Sequence, residues 1–135
     1  MNSKVYATKI ENNEGEIYRI DFDVVFEDEM GEKTNIGSYS VDDDNSIIGE
    51  VDPYMISNHF EFVPQAKKIM LKHGLAEIVG NEIPPEKYFY QNHISALKNV
   101  EGIFDRANQY IEKNKIPCTN ENGCIDFSTE RYRTR

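Results

Sequence analysis

The sequence predicts an α+β domain: an N-terminal antiparallel β-meander of three to four strands, followed by a short helix and a long amphipathic C-terminal helix, with room for a final edge strand. Three observations carry this. Residues 16–26 alternate apolar and polar side chains, residues 90–111 repeat apolar side chains every three or four positions, and the charge balance changes between the halves. The first two are the periods of a half-buried strand and of a helix with one apolar stripe. The single domain, 1–135, divides into an acidic meander over 1–48, a helical part over 52–117, and a loop with an arginine-rich tail over 118–135.

The strands come first. Tyr18, Ile20, Phe22, Val24 and Phe26 alternate with Arg19, Asp21, Asp23 and Val25, which predicts a strand with one buried face. Lys4 to Ile10 supplies a partner, and Asn12-Asn13-Glu14-Gly15 contains residues that accept the left-handed backbone of a hairpin turn. Glu27-Asp28-Glu29-Met30-Gly31-Glu32 reads as a second turn, leading to a strand over Thr34–Val41. Asp42-Asp43-Asp44-Asn45-Ser46 then breaks the sheet before the short apolar pair Ile47-Ile48.

Helix signals follow. Asp52-Pro53 resembles a capped start and allows a short helix through His59. Pro64 opens a clearer helix over 64–73, with Ala66, Ile69 and Met70 on one side and Gly74 as its stop. From Pro84-Pro85 to Ile116-Pro117, the residues Tyr90, Ile94, Leu97, Val100, Phe104, Ala107 and Ile111 form a single stripe. A helix of that span would be about 45 Å long. It must either break near Gly102 or present part of its stripe to another chain, and from its length we expect a homodimer or larger assembly. Beyond it, Ile125, Phe127 and Tyr132 alternate, as an edge strand would.

With 135 residues, 39% hydrophobic, and 15 aromatics, the chain can build one core. No apolar run reaches membrane-spanning length and the start lacks a signal-peptide pattern, so the expected location is cytoplasmic. In that compartment Cys118 and Cys124 read as two free thiols. The net charge of -9 is unevenly spread. Residues 1–62 carry 15 acids against 4 bases, a balance of -11, whereas residues 63–135 carry 9 acids against 11 bases, a balance of +2.

Catalytic patterns are missing. His59, His73 and His93 match no metal-ligand spacing, no glycine-rich phosphate loop or nucleophile elbow occurs, and Glu77 and Glu82 have no signal that pairs them as acid and base. Counted from Asp42, a calcium loop would need glycine and glutamate where Ile47 and Pro53 stand, so the acidic turn does not fit one. The expectation is a protein with no enzyme activity, cofactor or metal.

Two charged regions remain. On a strand Asp21 and Asp23 point the same way about 6.8 Å apart, and Glu27, Asp28, Glu29 and Glu32 extend their charge, with Asp42, Asp43 and Asp44 adding to it. Such a face resembles a row of backbone phosphates and suits the basic groove of a nucleic-acid-binding protein. At the other end Arg131, Arg133 and Arg135 would share one face of an extended tail, a row of donors for phosphate or carboxylate. Tyr88, Phe89 and Tyr90 cannot all face one helix core, and with Asn92 and His93 they offer a stacking surface for a planar ligand. The leading expectation is a small acidic inhibitor of the immunity or phage anti-defence kind, binding a basic protein partner. The alternative is a binder of a nucleotide or other phosphorylated small molecule, held at a subunit interface by the aromatic run and the arginines.

Overall fold

The computed structural model describes residues 2–51, 63–80, 89, 90 and 93–120. Its first half is four antiparallel strands in sequence order: β1 (Asn2–Glu11), β2 (Ile17–Glu27), β3 (Lys33–Asp42) and β4 (Ser46–Val51). The α+β class and the N-terminal meander are therefore present.

The first two turns share one design. In each, a residue with a side-chain oxygen stands three places before a glycine of positive φ, Asn12 before Gly15 and Asp28 before Gly31. The Asn12 Oδ1 accepts from the amides of Glu14 and Glu16, and the Asp28 Oδ1 from those of Met30 and Glu32, at 2.8–3.0 Å. This side chain mimics a backbone turn while glycine supplies the left-handed residue. The third turn corrects the sequence reading. Residues 43–45 are a tight turn that joins β3 directly to β4, so the sheet resumes at Ser46, with Asn45 at φ 63 closing the turn through its amide to the Asp42 carbonyl. Ile47 and Ile48 then lie on opposite faces of β4, one 1% and the other 55% exposed.

The helical half departs further. Helix α1 (Val63–Met70) continues into a π-helical segment, Leu71–Leu75, and then α2 (Ala76–Val79). His73 and Gly74, the latter at φ 103, leave helical geometry and separate the two helices, so Gly74 is the stop that the sequence predicts. The region expected to be one long helix holds two strands, β5 (Phe89–Tyr90) and β6 (His93–Leu97), and a 12-residue helix, α3 (Ile103–Asn114). Asn99 and Gly102 take left-handed conformations between β6 and α3, and β6 pairs with β4. The chain thus gains sheet hydrogen bonds where a continuous helix would leave the β4 edge open. A 12-residue helix spans about 18 Å, so the length argument for a second copy loses its premise.

β7 (Cys118–Asn120) pairs in parallel with Ala7–Lys9 and completes a seven-stranded mixed sheet in the order β5-β6-β4-β3-β2-β1-β7. The edge strand expected over 124–135 lies outside the described residues, as does the short helix expected over 52–59. Among the described residues, no helix is long and apolar enough to cross a membrane.

The core lies on one face of the sheet. Val5, Ala7, Ile20, Phe22, Val24, Tyr39, Val41 and Ile47 meet Met70, Leu75, Ile78, Ile103, Ala107 and Ile111 from the helical layer. Phe22 stacks on Tyr39 at 4.9 Å between ring centroids and meets Tyr110 edge-on at 6.3 Å. These are favoured aromatic geometries worth roughly 0.5–1.5 kcal/mol each beyond burial. On α3 the buried positions are Ile103, Ala107, Tyr110 and Ile111; Ala107 and Ile111 are buried as the stripe predicts, Phe104 is partly buried against the core, and Ile103 and Tyr110 widen the buried face.

Candidate functional site

Strand register decides what occupies the other face. Asp23 is opposite Ser38, and Ser38 opposite Glu50; Asp21 is opposite Ser40, and Ser40 opposite Ile48; Arg19 is opposite Asp42, and Asp42 opposite Ser46. These three cross-strand rows form a polar grid on the face turned away from the core cluster. The exposed Asp43 and Asp44 border it at the β3–β4 turn. The grid and its border hold six carboxylates, from Asp21, Asp23, Asp42, Asp43, Asp44 and Glu50, against the guanidinium of Arg19.

The side chains within it are tied down to different degrees. Asp21 accepts a 2.7 Å hydrogen bond from the Ser40 hydroxyl and forms an ion pair with Arg19 at 3.0 Å. Asp23 is only 9% exposed. Asp43, Asp44, Glu50 and Ile48 are exposed. The Asp42 carboxyl is held above the usual carboxylate range by burial, with Asp44, Asp43 and Asp21 pushing the same way and Arg19 opposing them.

The other nominated acids belong to a different end. Glu27 pairs with Lys4 at 3.2 Å, Asp28 organises its own turn, and Glu29 and Glu32 are exposed on that turn. Buried Val25 separates this end from Asp23 along β2, and buried Tyr6, opposite Asp23, has the Lys33 ammonium 5.0 Å from its ring centroid. The acidic track read from the sequence is therefore two separate clusters, and the larger is the grid around Asp21 and Asp42.

The aromatic run does not lie on a helix. Phe89 and Tyr90 are in β5 and His93 is in β6, with Tyr90 opposite His93 in the register. Tyr88, Asn92, Arg131, Arg133 and Arg135 lie outside the described residues, as does Cys124, while Cys118 is exposed on β7. Among the described residues no three histidine, cysteine, aspartate or glutamate side chains cluster to hold a metal ion.

A second feature has no counterpart in the sequence reading. The π-helical kink carries His73 out of helical geometry, to φ -96 and ψ 49, and brings its Nε2 to 2.7 Å from the Ser3 hydroxyl on β1. The two residues are 70 positions apart, a separation at which no spacing motif operates. Burial, with Lys72 adding to it, lowers the His73 pKa, which favours the neutral imidazole. Around this pair opens a cavity of about 420 Å³.

The chain matches no protein-family model, no curated protein and no solved structure. Functional argument therefore rests on the two surfaces themselves.

Proposed function

We propose that this chain is a non-enzymatic binding protein, an acidic inhibitor of the immunity or anti-defence kind, in which the exposed β3–β4 side of the polar sheet face occupies a basic surface on a nucleic-acid-handling protein. One observation carries the reading: Ile48, 55% exposed, stands in the cross-strand row of Asp21 and Ser40 and between the rows that hold Glu50 and Asp42. Ile48 has Ser40 across from it, Ser46 and Glu50 beside it on β4 and Asp42 on the diagonal, and an exposed apolar side chain with acids nearby suits a protein partner, which can bury the isoleucine while its lysines and arginines meet those acids.

Carboxylates spaced about 6.8 Å apart along a strand offer a basic groove regularly placed anions, and their common field accelerates encounter. Ser38, Ser40 and Ser46 keep the grid hydrogen-bonding without adding positive charge. Burying Ile48 then supplies affinity of the non-directional kind, at about 25 cal/mol per Å² of apolar surface removed from water.

The test is parallel capture from a lysate of the native host with the unaltered chain and with a variant carrying D43K, D44K and E50K. These side chains are exposed, so the variant is expected to keep its fold, which circular dichroism checks. The unaltered chain should retain a basic nucleic-acid-binding protein that the variant releases. Capture of the same proteins by both would contradict the proposal.

A further inference from the structure

We propose that the cavity between the N-terminal half of β1 and the kink–α3 layer is a binding site for a small phosphate monoester, separate from the acidic face. The Ser3 and His73 pair would engage its phosphate, with Lys72 and Lys115 beside it and the Tyr110 wall against its organic body.

The site is built by the fold. β7 pairs only with Ala7–Lys9, so the stretch Ser3–Tyr6 is left to line the cavity beside Lys72, His73, Tyr110 and Lys115. His73 is turned towards that edge because the chain kinks at Gly74. At φ 103, a Cβ on Gly74 would stand 2.7 Å from both the Tyr110 ring and the Tyr39 hydroxyl, closer than real Cβ atoms approach. The Tyr39 hydroxyl in turn donates to the His73 carbonyl at 2.9 Å. The imidazole is thus held by a backbone that the core fixes.

Charge selects the ligand. In a chain of net charge -9, the lining among the described residues includes Lys4, Lys72 and Lys115 and no carboxylate. Lys4 is engaged by Glu27, which leaves Lys72 and Lys115, two exposed lysines of the lining. The C-terminal end of α3 opposes an anion with roughly half a unit of negative charge. Two formal positive charges outweigh it, and the carbonyls of Ile111 and Glu112 already accept from the amides of Ile116 and Lys115. When His73 is protonated its Nε2–H donates to the Ser3 hydroxyl, which frees the Ser3 proton for a phosphate oxygen; with two ammoniums nearby this gives a donor set that phosphate accepts. The volume of about 420 Å³ lies within the range that small organic ligands fill.

Phenyl phosphate is a suitable probe, read by NMR titration of the histidine ring protons with inorganic phosphate run in parallel. A dianion beside the imidazole favours its protonated form, so the His73 pKa should rise on binding while those of His59 and His93 stay put; H73Q assigns the signal. We expect saturation with a Kd below about 1 mM, tighter than for inorganic phosphate because Tyr110 contributes only to the organic ester. Equal affinity for both probes would reduce the site to a simple anion site and overturn the monoester assignment. K72Q/K115Q, altering two exposed side chains, should weaken binding at least ~10-fold; S3A provides a second variant within the pair. Unchanged affinity in both variants, or equal shifts of all three histidines, would overturn the proposal. The D43K/D44K/E50K variant should bind the probe normally, so this site and the acidic face succeed or fail independently.

Discussion

The Tyr39 hydroxyl reaches across from the centre of the sheet to the His73 carbonyl, 2.9 Å away, at the point where the first helix kinks. Tyr39 is 1% exposed, so its hydroxyl has no alternative in water and burial raises its pKa well above the usual value. Y39F keeps the ring stack on Phe22 and removes only this bond. Leaving a buried carbonyl without its donor costs about 1–3 kcal/mol, and urea unfolding should report a loss in that range with an unchanged m-value.

Arg106 holds the two ends of the helical layer together. Its guanidinium donates to the carbonyls of Ile78 at 2.7 Å, Val79 at 3.1 Å and Glu101 at 3.1 Å, satisfying the end of α2 that has no helical partner. A lysine supplies charge but not the planar fork. R106K should lower stability by about 1–2 kcal/mol, measured by the same denaturant titration.

Asn45 caps a helix to which it does not belong. From the β3–β4 turn, its carbonyl accepts from the Val100 amide and its Oδ1 accepts from the Phe104 amide in the first turn of α3. Asn45 also occupies positive φ, which asparagine tolerates better than most residues. N45A loses the cap and strains the turn, and should cost about 1–2 kcal/mol. N45G keeps the turn and loses only the cap, so it should cost less.

Asp42 sets a pH dependence whose sign follows from its raised pKa. The folded state holds this proton to higher pH than the unfolded state does, where the ordinary value is 3.8. Above the folded pKa, the charged carboxyl therefore works against folding, and the penalty fades as pH falls through that value towards 3.8. D42N should raise the melting temperature at pH 7. Its advantage should shrink steadily as the pH is lowered and vanish below about 3.8, the ordinary carboxylate value.

The parts of the fold that are legible in the sequence are those encoded within a few residues. The β2 alternation and the Asn12–Gly15 and Asp28–Gly31 turns are local chemistry, and they appear as read. β4 was obscured because Ile47 and Ile48 look like one apolar pair, although a strand sends them to opposite faces. The stripe from Tyr90 to Ile111 misled for a different reason. Spacings of three and four across two short strands and a helix coincide with one helical period, and only the left-handed Asn99 and Gly102 interrupt it. Asp21 and Asp23 were identifiable as neighbours on one face, whereas Ser40, Glu50 and Ile48 join them only through cross-strand register. Ser3 and His73 meet through a kink set by Gly74, which reads locally as a helix end.

The measurement that bears most directly on the acidic-face proposal is the affinity of the captured basic partner for the unaltered chain and for D43K/D44K/E50K, across a salt series. The account predicts tight binding that weakens steeply with salt, and at least ~10-fold weaker binding with a flatter salt dependence for the variant. Equal affinities with parallel salt dependence would contradict it.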